Sequence, residues 1–95
     1  MRSRYLVAYD IADKSRLRRT HDVMLGFGDQ LQYSVFDCML SDKEVVLLVA
    51  ALTEVVSASQ DRVVFARLGP EGRSSSKLRF LGIHPTGSER GPLIV

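Results

Sequence analysis

Two helix patterns, each preceded by a strand pattern, constrain the fold of this chain more than any other feature of its sequence. The segment Ser41-Asp42-Lys43-Glu44 fits a capping box, in which a serine and a glutamate satisfy the free amides at a helix start. A helix is therefore expected to begin there. Its predicted core face consists of Val45, Leu48, Val49, Leu52, Val55 and Val56.

An earlier helix is predicted after Asp13, whose carboxylate is suited to cap a helix N-terminus. Its predicted core face is Leu17, His21, Met24 and Gly28, and glycines at 26 and 28 end it. The predicted strands are Arg4–Asp10, Leu31–Leu40, Arg62–Leu68 and Leu78–His84. Leu31–Leu40 is long for one strand, so a bend near Ser34 or Asp37 is expected to divide it. Gly69-Pro70-Glu71-Gly72 is expected to end the strand before it.

The resulting order is βαββαβ with one or two extra C-terminal strands. This order predicts an α+β fold of the ferredoxin-like class, with both helices on one face of an antiparallel sheet. A length of 95 residues fits one domain spanning 1–95 and excludes a separate cofactor domain. The single cysteine, Cys38, forms no internal disulfide, which favours the reducing cytoplasm. The longest apolar run, Val45–Leu52, is too short to cross a bilayer, and no signal peptide is visible.

The first strand is apolar on both sides, because Tyr5, Val7 and Tyr9 alternate with Leu6 and Ala8. A second layer is therefore expected on the face without helices. We favour a second copy of the chain, with the tail at 85–95 docking on the partner. The alternative is that this tail covers its own sheet.

Asp10 is the candidate for chemistry, because it ends a strand that is expected to be buried. Carboxylates at strand ends suit Mg²⁺, and a two-fold axis would bring a second Asp10 beside the first. The alternative is a loop aspartate that bonds nearby amides. Ten of the thirteen basic residues are arginines, and the net charge is +2. Arg16, Arg18 and Arg19 form a cluster that suits phosphate, or equally a solvated helix face.

No other pattern predicts catalysis. His21 is expected to pack on its helix face and Cys38 in a strand, and His84 has no visible partner.

Three motifs resemble a known family when taken together. They are Tyr9-Asp10-Ile11-Ala12-Asp13, Gln32-Tyr33-Ser34-Val35-Phe36 and Ser41-Asp42, with the arginine-rich helix between the first two. From Arg4 to Leu68 the chain is similar to the small, universal spacer-acquisition proteins of CRISPR systems. The resemblance implies a ferredoxin-like homodimer with its sheets packed face to face. It also implies one Mg²⁺ shared by Asp10 of both protomers, and endonuclease activity on single-stranded RNA or double-stranded DNA.

The resemblance also implies roles for the neighbours of Asp10. Tyr9 would shape the cleft beside it, Ser34 and Phe36 would support that cleft, and Arg16, Arg18 and Arg19 would hold phosphates. A basic residue often found before the second motif is replaced here by Gln30.

A second function stays open. In this function a non-catalytic dimer bridges the CRISPR integrase and duplex DNA, with Val46, Leu47 and the tail as integrase contacts. Two further alternatives are a toxin-like endoribonuclease and an RNA-recognition domain. An RNA-recognition domain would need aromatic residues on its RNA-stacking strand, and this chain lacks that signature.

Overall fold

A computed structural model describes residues 1–70, 81–83 and 92–93. The predicted loop at 72–77, most of the strand predicted at Leu78–His84 and most of the tail at 85–95 lie outside these residues. Docking of the tail on a partner therefore stays a prediction. Within the described part, the elements are β1 (Arg2–Asp10), α1 (Lys14–Leu25), β2 (Asp29–Gln32), β3 (Val35–Ser41), α2 (Asp42–Thr53), β4 (Arg62–Pro70), β5 (Gly82–Ile83) and β6 (Pro92–Leu93).

Four strands form one sheet in the order β2-β3-β1-β4, and every neighbouring pair is antiparallel. Each helix connects two strands that are separated by a third, so β1-α1-β2 and β3-α2-β4 interlock. This arrangement confirms the predicted α+β ferredoxin-like topology. The short strands β5 and β6 pair with each other in a separate antiparallel sheet.

Both helices begin where local capping predicts. The Asp13 carboxylate accepts a hydrogen bond from the Arg16 amide at 2.9 Å. At α2 the capping box is complete, because Ser41 Oγ accepts from the Glu44 amide at 3.1 Å and Glu44 accepts from the Ser41 amide at 2.8 Å. These bonds satisfy amide donors that have no partner within the helix.

The strands extend slightly beyond their predicted ends, because β1 and β2 each begin two residues earlier and β3 ends one residue later. The long segment divides at a turn through Tyr33 and Ser34, which confirms the bend expected near Ser34. The prediction that β4 ends at Leu68, just before Gly69, is wrong, because the strand continues to Pro70. Gly69 adopts a φ of 135°, where the register between β1 and β4 shifts. A glycine takes this φ without a steric penalty, so the strand bends there rather than ending.

The core lies between the two helices and one face of the sheet. It consists of Val7, Tyr9, Met24, Phe36, Cys38, Leu40, Leu48 and Leu52. The predicted core face of α2 is wrong at Val49, which is 45% exposed. Val55 and Val56 lie beyond the end of the helix at Thr53 and are half-buried.

The other face of the sheet carries no helix and is largely apolar near its centre. Leu6 pairs with Ala66 and Ala8 with Val64 across β1 and β4, and Val64 is 49% exposed. An ion pair between Arg4 and Asp37 lies further along this face. Apolar residues thus occupy both faces of β1, as the alternation predicts. Neither helix of the described residues is long and apolar enough to cross a membrane.

Candidate functional site

Asp10 is the last residue of β1 and is exposed at the strand end, opposite Arg62 of β4. Its carboxylate takes part in none of the ion pairs found among residues 1–70. The described part of the chain contains no group of three side chains able to ligate a metal ion. One copy of the chain therefore offers this single carboxylate at the strand end.

Tyr9 lies on the opposite side of the strand from Asp10, because successive side chains point to opposite faces. It is only 6% exposed, and its ring centroid lies 6.2 Å from that of Phe36. The Tyr9 hydroxyl lies 3.4 Å from His21 Nδ1, and the His21 ring meets Phe36 edge-on at 5.5 Å. Burial raises the pKa of Tyr9 above its usual value.

Ser34 and Phe36 contact Tyr9 in two different ways. The Tyr9 amide donates to the Ser34 carbonyl at 3.1 Å, which joins the β2–β3 turn to the end of β1. Phe36 is completely buried beneath Tyr9. Both residues thus hold the end of β1, and the Tyr9 and Phe36 side chains pack on the helix side of the sheet, away from the Asp10 side chain.

Arg16 is held by groups within the chain. Its Nε and Nη2 donate to the two Asp61 oxygens at 2.8 and 3.2 Å, and Nη2 also donates to Gln60 at 2.8 Å. Asp61 has no exposed side-chain surface and accepts further bonds from the amides of Ala12 and Ser57 at 2.9 and 2.7 Å. The Arg16 guanidinium and these amides hold the pKa of Asp61 well below its usual range. The network fixes the loop after Asp10 against the loop before β4.

Arg18 and Arg19 are exposed, and neither takes part in an ion pair within the described residues. Arg18 lies at a cleft of about 470 Å³ on the helix side of the sheet. The cleft is lined by Tyr9, Lys14, Leu17, Arg18, His21, Gln30 and Tyr33.

The structure thus brings Tyr9 and Arg18 together, places Asp10 on the other side of β1, and pairs Arg16 with Asp61. Sequence reasoning did not identify Lys14 or Tyr33 as functional residues. Lys14 precedes Arg18 by four residues and so shares its helix face, a signal that was present in the sequence. Tyr33 is 73% exposed, which the sequence did not indicate.

The fold and these side chains define a small ferredoxin-like domain that presents a strand-end carboxylate and exposed helical cations with no ion-pair partner among the described residues. A family model described as CRISPR associated protein Cas2 matches residues 1–75. The chain therefore belongs to the Cas2 family of CRISPR-associated proteins, which confirms the resemblance seen in its motifs. Membership of this family supports an interaction with nucleic acid.

Named relatives agree with this assignment. The chain is 38% identical over 78 residues to the CRISPR-associated endoribonuclease Cas2 of Geobacter sulfurreducens, covering 82% of each chain. It is 33% identical over 91 residues to CRISPR-associated endoribonuclease Cas2 1 of Rhodospirillum rubrum, covering 96% of this chain and 89% of the relative. The crystal structure of Streptococcus pyogenes Cas2 superposes with a TM-score of 0.75 at 27% identity, over 83% of this chain and 99% of that one.

Proposed function

We propose that the protein is a nuclease that acts as a homodimer and hydrolyses phosphodiester bonds with Mg²⁺ held by Asp10 of both protomers. The observation that carries this proposal is the exposed Asp10 carboxylate, which ends β1 without an ion-pair partner in the described residues. The two relatives are endoribonucleases by name, which supports RNA as a substrate, with double-stranded DNA as the other substrate to be tested.

The second copy is proposed to cover the sheet face that carries no helix. Leu6, Ala8, Val64 and Ala66 form an apolar area there, and Asp10 lies on the same side of β1 by alternation. A two-fold axis across this face would bury the apolar area and bring the two Asp10 side chains together at one edge. The tail at 85–95 is proposed to dock on the partner.

Asp10 suits Mg²⁺ because carboxylate oxygens are its preferred protein ligands. One Asp10 supplies few of the ligands that Mg²⁺ needs, so the proposed Mg²⁺ site requires Asp10 of both protomers. Bound Mg²⁺ would activate water for attack on phosphorus and offset charge on the leaving oxygen. Arg18 and Arg19 are proposed to hold phosphates. Arg16 is proposed to position the loop after Asp10 and to reach phosphate only secondarily, because Asp61 already binds its guanidinium.

The cellular role proposed here is spacer acquisition in CRISPR antiviral defence, in the cytoplasm and together with the CRISPR integrase. A second candidate function is a non-catalytic adaptor between that integrase and duplex DNA. It is favoured by an apolar surface on α2 formed by Val46, Leu47 and Val49, which are 67%, 51% and 45% exposed. The family match argues against the toxin-like alternative and against an RNA-recognition domain.

The test is cleavage of labelled single-stranded RNA and duplex DNA with Mg²⁺, with EDTA, and by Asp10→Asn. Asp22→Asn is the matched control, because Asp22 is an exposed carboxylate on α1. We expect cutting that requires both Mg²⁺ and Asp10 and that persists in Asp22→Asn. Cutting that survives Asp10→Asn would refute the proposed site. Duplex binding without any cutting would favour the adaptor.

A further inference from the structure

The cleft beside α1 is built from two segments that approach each other over the end of β1. Helix α1 supplies Lys14, Arg18 and His21, which recur at intervals of four and three residues and so share one face. The segment from β2 into the β2–β3 turn supplies Gln30 and Tyr33. The volume of about 470 Å³ lies in the range of small-ligand sites and accommodates one nucleotide.

The inner wall of the cleft is held in place by the core. Tyr9 is buried against Phe36, and its hydroxyl is directed at His21. The Gln30 side chain donates to the Tyr33 carbonyl at 3.3 Å, which connects the two parts of the outer wall. The cleft therefore exists without a ligand and does not have to be formed on binding.

The charges around the cleft select an anion. Lys14 and Arg18 contribute cations, and none of the side chains that line the cleft is acidic. Lys14 and Arg18 take part in none of the ion pairs among the described residues. Both cations therefore remain available for an anionic ligand such as phosphate.

Tyr33 gives the cleft an aromatic side chain, 73% exposed, at the tip of a turn. An aromatic side chain next to two cations is the combination that binds single-stranded nucleic acid, in which bases stack on rings and cations follow the backbone. A duplex keeps its base faces stacked internally and leaves such a ring without a partner.

We propose that this cleft binds one unpaired nucleotide of a single-stranded nucleic acid, with its base stacked on Tyr33 and its phosphate held by Lys14 and Arg18. This inference rests on the proposed nuclease function, for which it names the form of the substrate. Tyr9 and Asp10 are consecutive in β1, so the nucleotide in the cleft and the carboxylate lie on the two sides of one strand end. Gln30 donates or accepts at the edge of the bound base.

The test uses a single-stranded RNA that carries one 2-aminopurine, whose fluorescence is quenched when the base stacks. Binding is measured in EDTA, so that no cleavage is needed for the readout. We compare wild-type protein with Tyr33→Ala, Tyr33→Phe, Lys14→Gln and Arg18→Gln. Lys43→Gln is the matched control, because Lys43 is an exposed lysine on α2, away from the cleft.

We expect Tyr33→Ala to abolish quenching and weaken binding roughly ten- to a hundredfold, with Tyr33→Phe retaining both. Lys14→Gln and Arg18→Gln weaken binding and flatten its salt dependence, whereas Lys43→Gln does not. Wild-type quenching and affinity in Tyr33→Ala would overturn the proposal, as would an equal loss of affinity for duplex DNA. Asp10→Asn separates the two proposals, because it removes cutting if the nuclease proposal holds and leaves quenching intact.

Discussion

Replacing Phe36 with alanine tests whether this motif residue supports the site or contacts the substrate. Phe36 has no exposed surface and packs against Tyr9 and His21. Removing such a side chain from a core costs about 3–5 kcal/mol of unfolding free energy. A domain of 95 residues has a total stability of about 5–14 kcal/mol, so a large part of it would be lost.

The loss is measured by urea unfolding and by thermal unfolding, both followed by circular dichroism at one fixed protein concentration because a dimer is proposed. Each kcal/mol shifts the Tm of a small domain by about 4–8 °C, so we expect a decrease of at least about 12 °C. Phe36→Leu refills most of the space and is expected to fold and retain nucleic-acid binding. A Phe36→Ala protein that loses less than about 1 kcal/mol but no longer binds would refute a supporting role.

Three further substitutions or probes test the packing around the site. Thr20 is completely buried, and its hydroxyl has no hydrogen-bond partner in the described residues. Because a buried hydroxyl without a partner costs free energy, Thr20→Val is expected to raise the unfolding free energy by about 1 kcal/mol, measured by thermal unfolding. A destabilised Thr20→Val protein would contradict this. A Cβ at Gly28 would lie 2.5 Å from Cys38 Sγ and 2.6 Å from the Asp37 carbonyl, so Gly28→Ala is expected to lower the Tm. A Cβ at Gly26 would have its nearest contact at 3.4 Å, so Gly26→Ala is expected to leave the Tm nearly unchanged. Equal Tm values for the two variants would contradict this, because they would show that β3 shifts to accommodate the added Cβ. Burial raises the pKa of Cys38 to about 12, so we expect a thiol reagent at pH 8 to label this residue only in urea, and labelling of the folded protein would contradict its burial.

The features that were predictable from the sequence depend on short segments of the chain. Asp13 and the Ser41–Glu44 pair determine the helix starts through bonds that span three residues. Asp10 was identifiable for the same reason, since it is the last residue of a short strand pattern. The exposure of Val49 was missed because the rotation of α2 about its axis depends on packing against the sheet, which the helix period alone does not determine.

The features that were missed depend on residues far apart in the sequence. Arg16 looked like a phosphate ligand because Asp61, its partner, lies 45 residues away in the chain. Tyr33 was treated as part of a motif, although its exposure beside Lys14 and Arg18 arises only when α1 packs against the β2–β3 turn. The proposed pairing of Asp10 depends on a second copy of the chain, so the pattern within one chain cannot establish it.

The central claim is that two Asp10 carboxylates act together, and subunit mixing tests it most directly. Wild-type and Asp10→Asn proteins are mixed in varying ratios, allowed to exchange subunits, and assayed for cleavage of single-stranded RNA with Mg²⁺. If both carboxylates are needed at one site, activity falls with the square of the wild-type fraction, because only wild-type homodimers cut. A linear decrease would show that each protomer cuts with its own Asp10, and would contradict the shared site.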